Sequence, residues 1–166
     1  MNGLDTIRDT MTQCLADAGI PAVTAWSRLP RVRRDRPVVA VCLRALQSEP
    51  GGWQNYLGER FNDDTGRWEE LYGKRVRLTF SLDIYAPGTD GAAQCLSAFQ
   101  QVAAALQSAR PAGMTVHSLS HGETSYDEKQ SLFLCPAEAV CDAFLCAAAD
   151  ESGSFVDFEV RGATLQ

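Results

Sequence analysis

The stretch KRVRLTFSLDIY, residues 74 to 85, decides how this chain folds. Val76, Leu78, Phe80, Leu82 and Ile84 take every second position, with Arg75, Arg77, Thr79, Ser81, Asp83 and Tyr85 between them. Successive side chains of a strand point to opposite faces, so a period of two predicts a strand with one face on a core. The other face looks to water or to a partner. Ala86-Pro87-Gly88 ends the run, because proline has no ladder N–H and glycine accepts turn geometry. Residues 90 to 109 then change to helical spacing, with Cys95, Leu96, Phe99, Val102, Ala103 and Leu106 as the apolar stripe. Thr89 or Asp90 is the expected N-cap and Arg110-Pro111 the stop. That stripe is expected to dock on the Val76-to-Ile84 face.

Upstream, Leu4, Ile7, Met11, Cys14, Leu15 and Ala18 recur at three- and four-residue spacing and predict an amphipathic helix over 4–18. Gly19 stands where a left-handed cap belongs, and Pro21 forbids continuation. Residues 22–27 read as a short strand. Arg28, Arg31, Arg33, Arg34 and Arg36 follow, five arginines in nine residues. This cluster has two readings, a solvated loop or a contact patch for an acidic partner. Residues 38–47, VVAVCLRALQ, form a second strand, apolar on both faces in its first half, which Glu49-Pro50-Gly51-Gly52 breaks.

Between that strand and the deciding one lies Trp53 to Gly73. Asn62-Asp63-Asp64-Thr65-Gly66 is turn chemistry between two aromatic-bearing runs, which predicts a β-hairpin whose second arm continues into residues 74–85. The aromatics Trp53, Tyr56, Phe61, Trp68 and Tyr72 exceed what one small core can bury. A projecting hairpin with an aromatic interface is the expectation.

Downstream, 114–120 reads as a strand, 121–124 as a loop and 132–134 as a short extended run. Residues 136–148, PAEAVCDAFLCAA, fit a helix with Pro136 at its first position, or a strand alternating Ala139, Cys141, Ala143, Leu145 and Ala147 with Val140, Asp142, Phe144 and Cys146. Residues 150–154 are a tight turn, and Phe155 to Val160 alternates as a strand. A turn before a strand asks for a hairpin partner upstream. The fold class is therefore α+β, a mainly antiparallel sheet packed by two helices with a projecting hairpin at 53–73. A length of 166 residues predicts a single domain, 1–166.

A net charge of −6 argues against a broad basic face for nucleic acid, and no specific nucleic-acid site is expected. No apolar run approaches a membrane span, and the acidic start does not read as an export signal. Six cysteines, an even count, would suit disulfides in a secreted protein. Cys14 and Cys95, however, fall on apolar helix stripes and Cys42 inside a strand, positions that suit small buried hydrophobes, and a reduced, cytoplasmic protein is expected. His117 and His121 would share a strand face four residues apart, without a third ligand, so no metal or other cofactor is expected. No nucleophile motif, phosphate loop or dinucleotide fingerprint is present, and Asp63, Asp64, Glu69 and Glu70 read as solvated turn carboxylates rather than an acid pair. A non-enzymatic role follows. The alternative is a small cytoplasmic α+β enzyme or ligand-binding module with a pocket between sheet and helices.

Two segments, YLGERFNDDTGRWEELYGKRVRLTFSLDIYAP at 56–87 and FLCAAADESGSFVDFEVRGA at 144–163, resemble the tail-terminator, or tail-completion, proteins of tailed bacteriophages and prophage-derived tail particles. The likeness lies in a glycine-containing hairpin entering a strand with a DIYAP stop, and in the terminal F-x-DF-x-V-x-G pattern. It favours strand for 139–148. The resemblance implies a subunit of a six-membered ring, made in the bacterial cytoplasm and carried in the virion or tail-like particle. Such a ring caps the tail tube, stops its polymerisation and meets the head connector or neck, with the sheath as a further candidate partner. Rings need two different patches that fit each other. Arg28 to Arg36 on one side, and Asp63, Asp64, Glu69 and Glu70 or Asp150 and Glu151 on the other, are the candidate complements. The aromatic hairpin is the candidate to reach a neighbour or the tube.

Overall fold

The computed structural model describes residues 3–24, 35–50, 55–149 and 155–161. In chain order the elements are α1 (Gly3–Asp17), β1 (Ala22–Val23), β2 (Val38–Pro50), β3 (Tyr56–Asn62), β4 (Arg67–Pro87), α2 (Gly91–Ser108), β5 (Met114–His121), β6 (Ser125–Asp127), β7 (Leu132–Cys135), β8 (Ala137–Ala149) and β9 (Phe155–Arg161). The strands form one sheet, antiparallel except where β1 lies parallel on the start of β2. The α+β architecture of two helices on a mainly antiparallel sheet is what the alternating and helical periods imply.

β4 is the spine, 21 residues long. One flank carries β2 along residues 74–85 and then β3 along 67–72. The other carries β7 along 84–87 and β8 along 70–81. An outer row follows β7 and β8: β6 on β7, then β5 and β9 end to end on β8. The hairpin, β3 and β4 joined at 63–66, extends past Glu70, where the pairing with β8 stops.

Val76, Leu78, Phe80, Leu82 and Ile84 are fully buried, and both helices pack on their face. Ile7, Met11, Cys14 and Leu15 of α1 join Cys95, Ala98, Val102, Ala105 and Leu106 of α2 in that cluster. Burying such side chains is worth roughly 1.5–3 kcal/mol each, the main force holding helices to sheet. Local chemistry sets the ends. Gly19 has φ 79°, and the Gly19 and Ile20 amides bond Ala16 O at 2.9 Å and Leu15 O at 3.0 Å, the two bonds of a Schellman cap. The Cys14 thiol reaches Ala109 O at 3.0 Å and so ties the end of α1 to the end of α2.

Several expectations shift. The apolar stripe of α2 is rotated: Leu96 is exposed and Phe99 half-buried, while Ala98 and Ala105 face inward. Small residues there let the helix approach the sheet, which a ranking by hydrophobicity overlooks. Asp90 precedes α2 but its side chain makes no cap bond; only its carbonyl is used, by the Gln94 amide at 3.0 Å. Of the strand expected at 22–27, only Ala22–Val23 is paired, Thr24 is a bend, and 25–27 lie outside the described residues. Residues 137–149 are strand, because β4 and β5 offer ladder partners on both sides.

Candidate assembly interface

β4 exchanges its buried face at Lys74 and Arg75. From Val76 onward the even-numbered side chains are buried; from Glu69 to Gly73 the odd-numbered positions are. Pairing with β8 is unbroken from Glu70↔Ala149 to Ser81↔Glu138, so no bulge has moved the register. The strand keeps its alternation while its burial changes sides: the even face that joins the core from Val76 to Ile84 is exposed or half-buried from Trp68 to Lys74.

That continued face carries the aromatics. Cross-strand partners share a face, and the partners here are Phe61↔Trp68, Glu59↔Glu70 and Tyr56↔Tyr72. Phe61 and Trp68 stack edge-on at 5.6 Å, Tyr56 and Tyr72 at 5.5 Å. Trp68 is 56% exposed, Phe61 48% and Tyr56 43%, and Tyr72 is half-buried. Between the pairs stand Glu59 and Glu70, both exposed. The Tyr72 hydroxyl donates to Glu70 Oε2 at 2.6 Å, and that bond pushes the Tyr72 phenol above its ordinary value. The surface reads aromatic, acid, aromatic along the ribbon.

The opposite side stiffens it. Glu69, expected as a solvated turn acid, is only 5% exposed. It accepts from Asn62 Nδ2 at 2.7 Å and Arg60 Nε at 2.9 Å, and these bonds hold its carboxyl below the usual range. Asn62 Oδ1 also takes the Asp64 and Thr65 amides, at 2.9 and 3.2 Å, which closes the turn. At the root of the arm Gly73 is required by close approach. A Cβ there would lie 2.6 Å from Leu145 O and 2.8 Å from Leu57 Cδ1.

The remaining expected residues are dispersed. Asp63 and Asp64 are exposed at the hairpin tip, and Arg36 is exposed before β2. Arg28, Arg31, Arg33, Arg34 and Trp53, with Asp150 and Glu151, lie outside the described residues. Glu59 was missed, although its place opposite Glu70 follows once the hairpin register is counted from the turn.

A second polar group was also missed. On the sheet face away from the helices, Arg77 Nε and Arg75 donate to Asp142 at 3.0 and 3.4 Å, and His117 Nδ1 lies 3.7 Å from Asp142. The Arg77 guanidinium, with Arg75, holds Asp142 below its ordinary value. The two histidines do not share a face as expected. The β5–β8 register slips between Val116 and Ser118, making His117 a bulge residue, and His121 instead packs on Phe99 of α2 at 4.5 Å.

Among solved structures, the chain is similar to one described as "Cryo-EM Structure of an Extracellular Contractile Injection System, PVC sheath/tube terminator in extended state". It resembles a sheath/tube terminator. The identity is 13%, the TM-score 0.43, and the match covers 98% of this chain and 62% of that one. The chain thus spans less than two thirds of that terminator's length. No protein-family model and no curated protein matches the sequence.

Proposed function

We propose that this protein is a structural, non-enzymatic subunit of a phage or phage-like tail. Copies form a ring, six-membered as in the family that residues 56–87 and 144–163 resemble. The ring caps the tail tube, ends its polymerisation and joins the tube to head or neck, with the sheath as a further neighbour. The chain acts as one domain, made in the bacterial cytoplasm and retained in the particle.

The observation that carries this reading is the aromatic–acid–aromatic face of the β3–β4 ribbon. A stripe holding Trp68, Phe61 and Tyr56 exposed on a stiffened ribbon is surface of the kind that interfaces use. Glu59 opposite Glu70 adds a direction. Like charges facing each other across a strand pair are unfavourable, and a cation from a partner relieves the repulsion. Arginine fits best, since its planar guanidinium binds carboxylates and stacks on aromatic rings. The chain itself carries Arg28, Arg31, Arg33, Arg34 and Arg36 within nine residues. In a head-to-tail ring such a cationic cluster is a complement for acidic surface on the next copy.

Reversing Arg31, Arg33 and Arg34 to Glu tests the contact. The variant is expected to keep the circular dichroism of the parent and to lose the ring-sized species in light scattering. Rings of parental size and stability from this variant contradict the assignment.

A further inference from the structure

We infer that the sheet itself continues from copy to copy, the free edge of β2 in one subunit adding to the β5 edge of the next. This deepens the ring reading above and rests on it. Among the described residues, β1 covers β2 only at Val39 and Ala40, so from Val41 to Glu49 β2 has a ladder partner on one side, β4. At the other margin, again among the described residues, β5 pairs with β8 alone. Unpaired edges are templates for another chain, and natural proteins guard them with Lys, Pro or strand-ending devices. These edges are poorly guarded. β5, MTVHSLSH, contains no Lys, Arg, Asp, Glu, Pro or Gly, and Val41 to Glu49 contains only Arg44 and Glu49 as charges.

Strand direction selects a second copy as the occupant. β2, β4, β8 and β5 stand side by side, each antiparallel to the one before. The first and last of these four rows therefore run in opposite senses. A neighbour placed head to tail, with its strands kept in the same orientation, brings β2 against β5 antiparallel, without inversion of the subunit. A contact between two different margins of one chain is heterologous, and it closes into a ring when the rotation per copy divides a full turn. β3 prolongs the β2 row and β9 prolongs the β5 row, so the same step brings arm alongside arm. Within the two paired edges, β2 and β5 have one bulge each, at Arg44 and His117, which leaves regular ladder on either side for pairing.

Hydrogen exchange read by mass spectrometry tests the inference on the full chain, alone and with tail tubes, at dilutions spanning assembly. Edge addition predicts that peptides covering 41–49 and 114–121 both slow by about tenfold or more in the ring. Ala45→Lys and Ser118→Lys, at exposed positions of the two edges, should each retain the parental melting temperature and fail to assemble. Two variants guard against one failing to fold. Ring-sized particles in which neither segment slows overturn edge addition and leave the ring reading standing. A chain that stays monomeric under every condition overturns both.

Discussion

Leu78 and Trp68 lie on the same face of the same strand, and replacing each by alanine separates what the two halves of β4 do. Leu78 is fully buried between Leu46 of β2 and Cys141 of β8. Leu→Ala in such a place costs about 2–5 kcal/mol, the removed methyl groups plus the cavity left behind. With a urea slope of about 2.5 kcal/mol per molar, the midpoint falls by about 1–2 M. Trp68 has more than half its surface in water already, and its defined partner is the Phe61 ring. An edge-on aromatic pair is worth about 0.5–1.5 kcal/mol, so the midpoint moves by about 0.5 M or less. The assay is urea unfolding followed by circular dichroism, which does not depend on the tryptophan removed, with light scattering on the same samples. Leu78→Ala should lose stability. Trp68→Ala should keep stability and lose assembly. A Trp68→Ala midpoint as low as that of Leu78→Ala would make the ribbon part of the folding core and leave β4 no separate assembly face.

Three further outcomes follow from particular contacts. Asp142 is depressed below its ordinary value of 3.8 by Arg77 and Arg75, so its contribution is complete above that value and is lost as pH falls through the folded value. Urea midpoints of the parent should therefore drop below about pH 4 more steeply than those of Asp142→Asn, and parallel profiles would show the contact to be inert. Gly91→Ala drives a Cβ into the Phe133 ring, itself packed on Tyr126, and should lower stability by about 1–2 kcal/mol in thermal unfolding, with relief in the Gly91→Ala, Phe133→Leu pair. Cys42 is the one exposed cysteine, while burial pushes the Cys141 thiol up to about 12 and Cys95 to about 11. A thiol reagent should find one fast group in the native protein and none in Cys42→Ser.

Much of this architecture was readable from residue periodicity, and the exceptions share causes. Residues 74–85 and both helices declare themselves because one face of each is uniformly apolar. Residues 136–148 do not, since alanine and cysteine suit either period, and only the ladders from β4 and β5 decide the matter. The bulges at Arg44 and His117 leave no mark in composition, yet His117 and His121 part company because of one. Trp68, Phe61 and Tyr56 were recognisable as surface by their number alone. Glu69 was misread because acids beside a turn are usually solvated; its Arg60 and Asn62 partners come from the facing strand. That β4 reverses its buried face between Gly73 and Val76 is set by tertiary packing, which no local pattern records.

In the function proposed above, this chain closes the end of a tail tube as a ring. Electron microscopy of the purified protein mixed with tail tubes tests it most directly. The expected result is a ring of density on one end of each tube, absent from the walls, with elongation halted at the capped end. Tubes that stay bare and continue to lengthen, or that are decorated along their sides, contradict it.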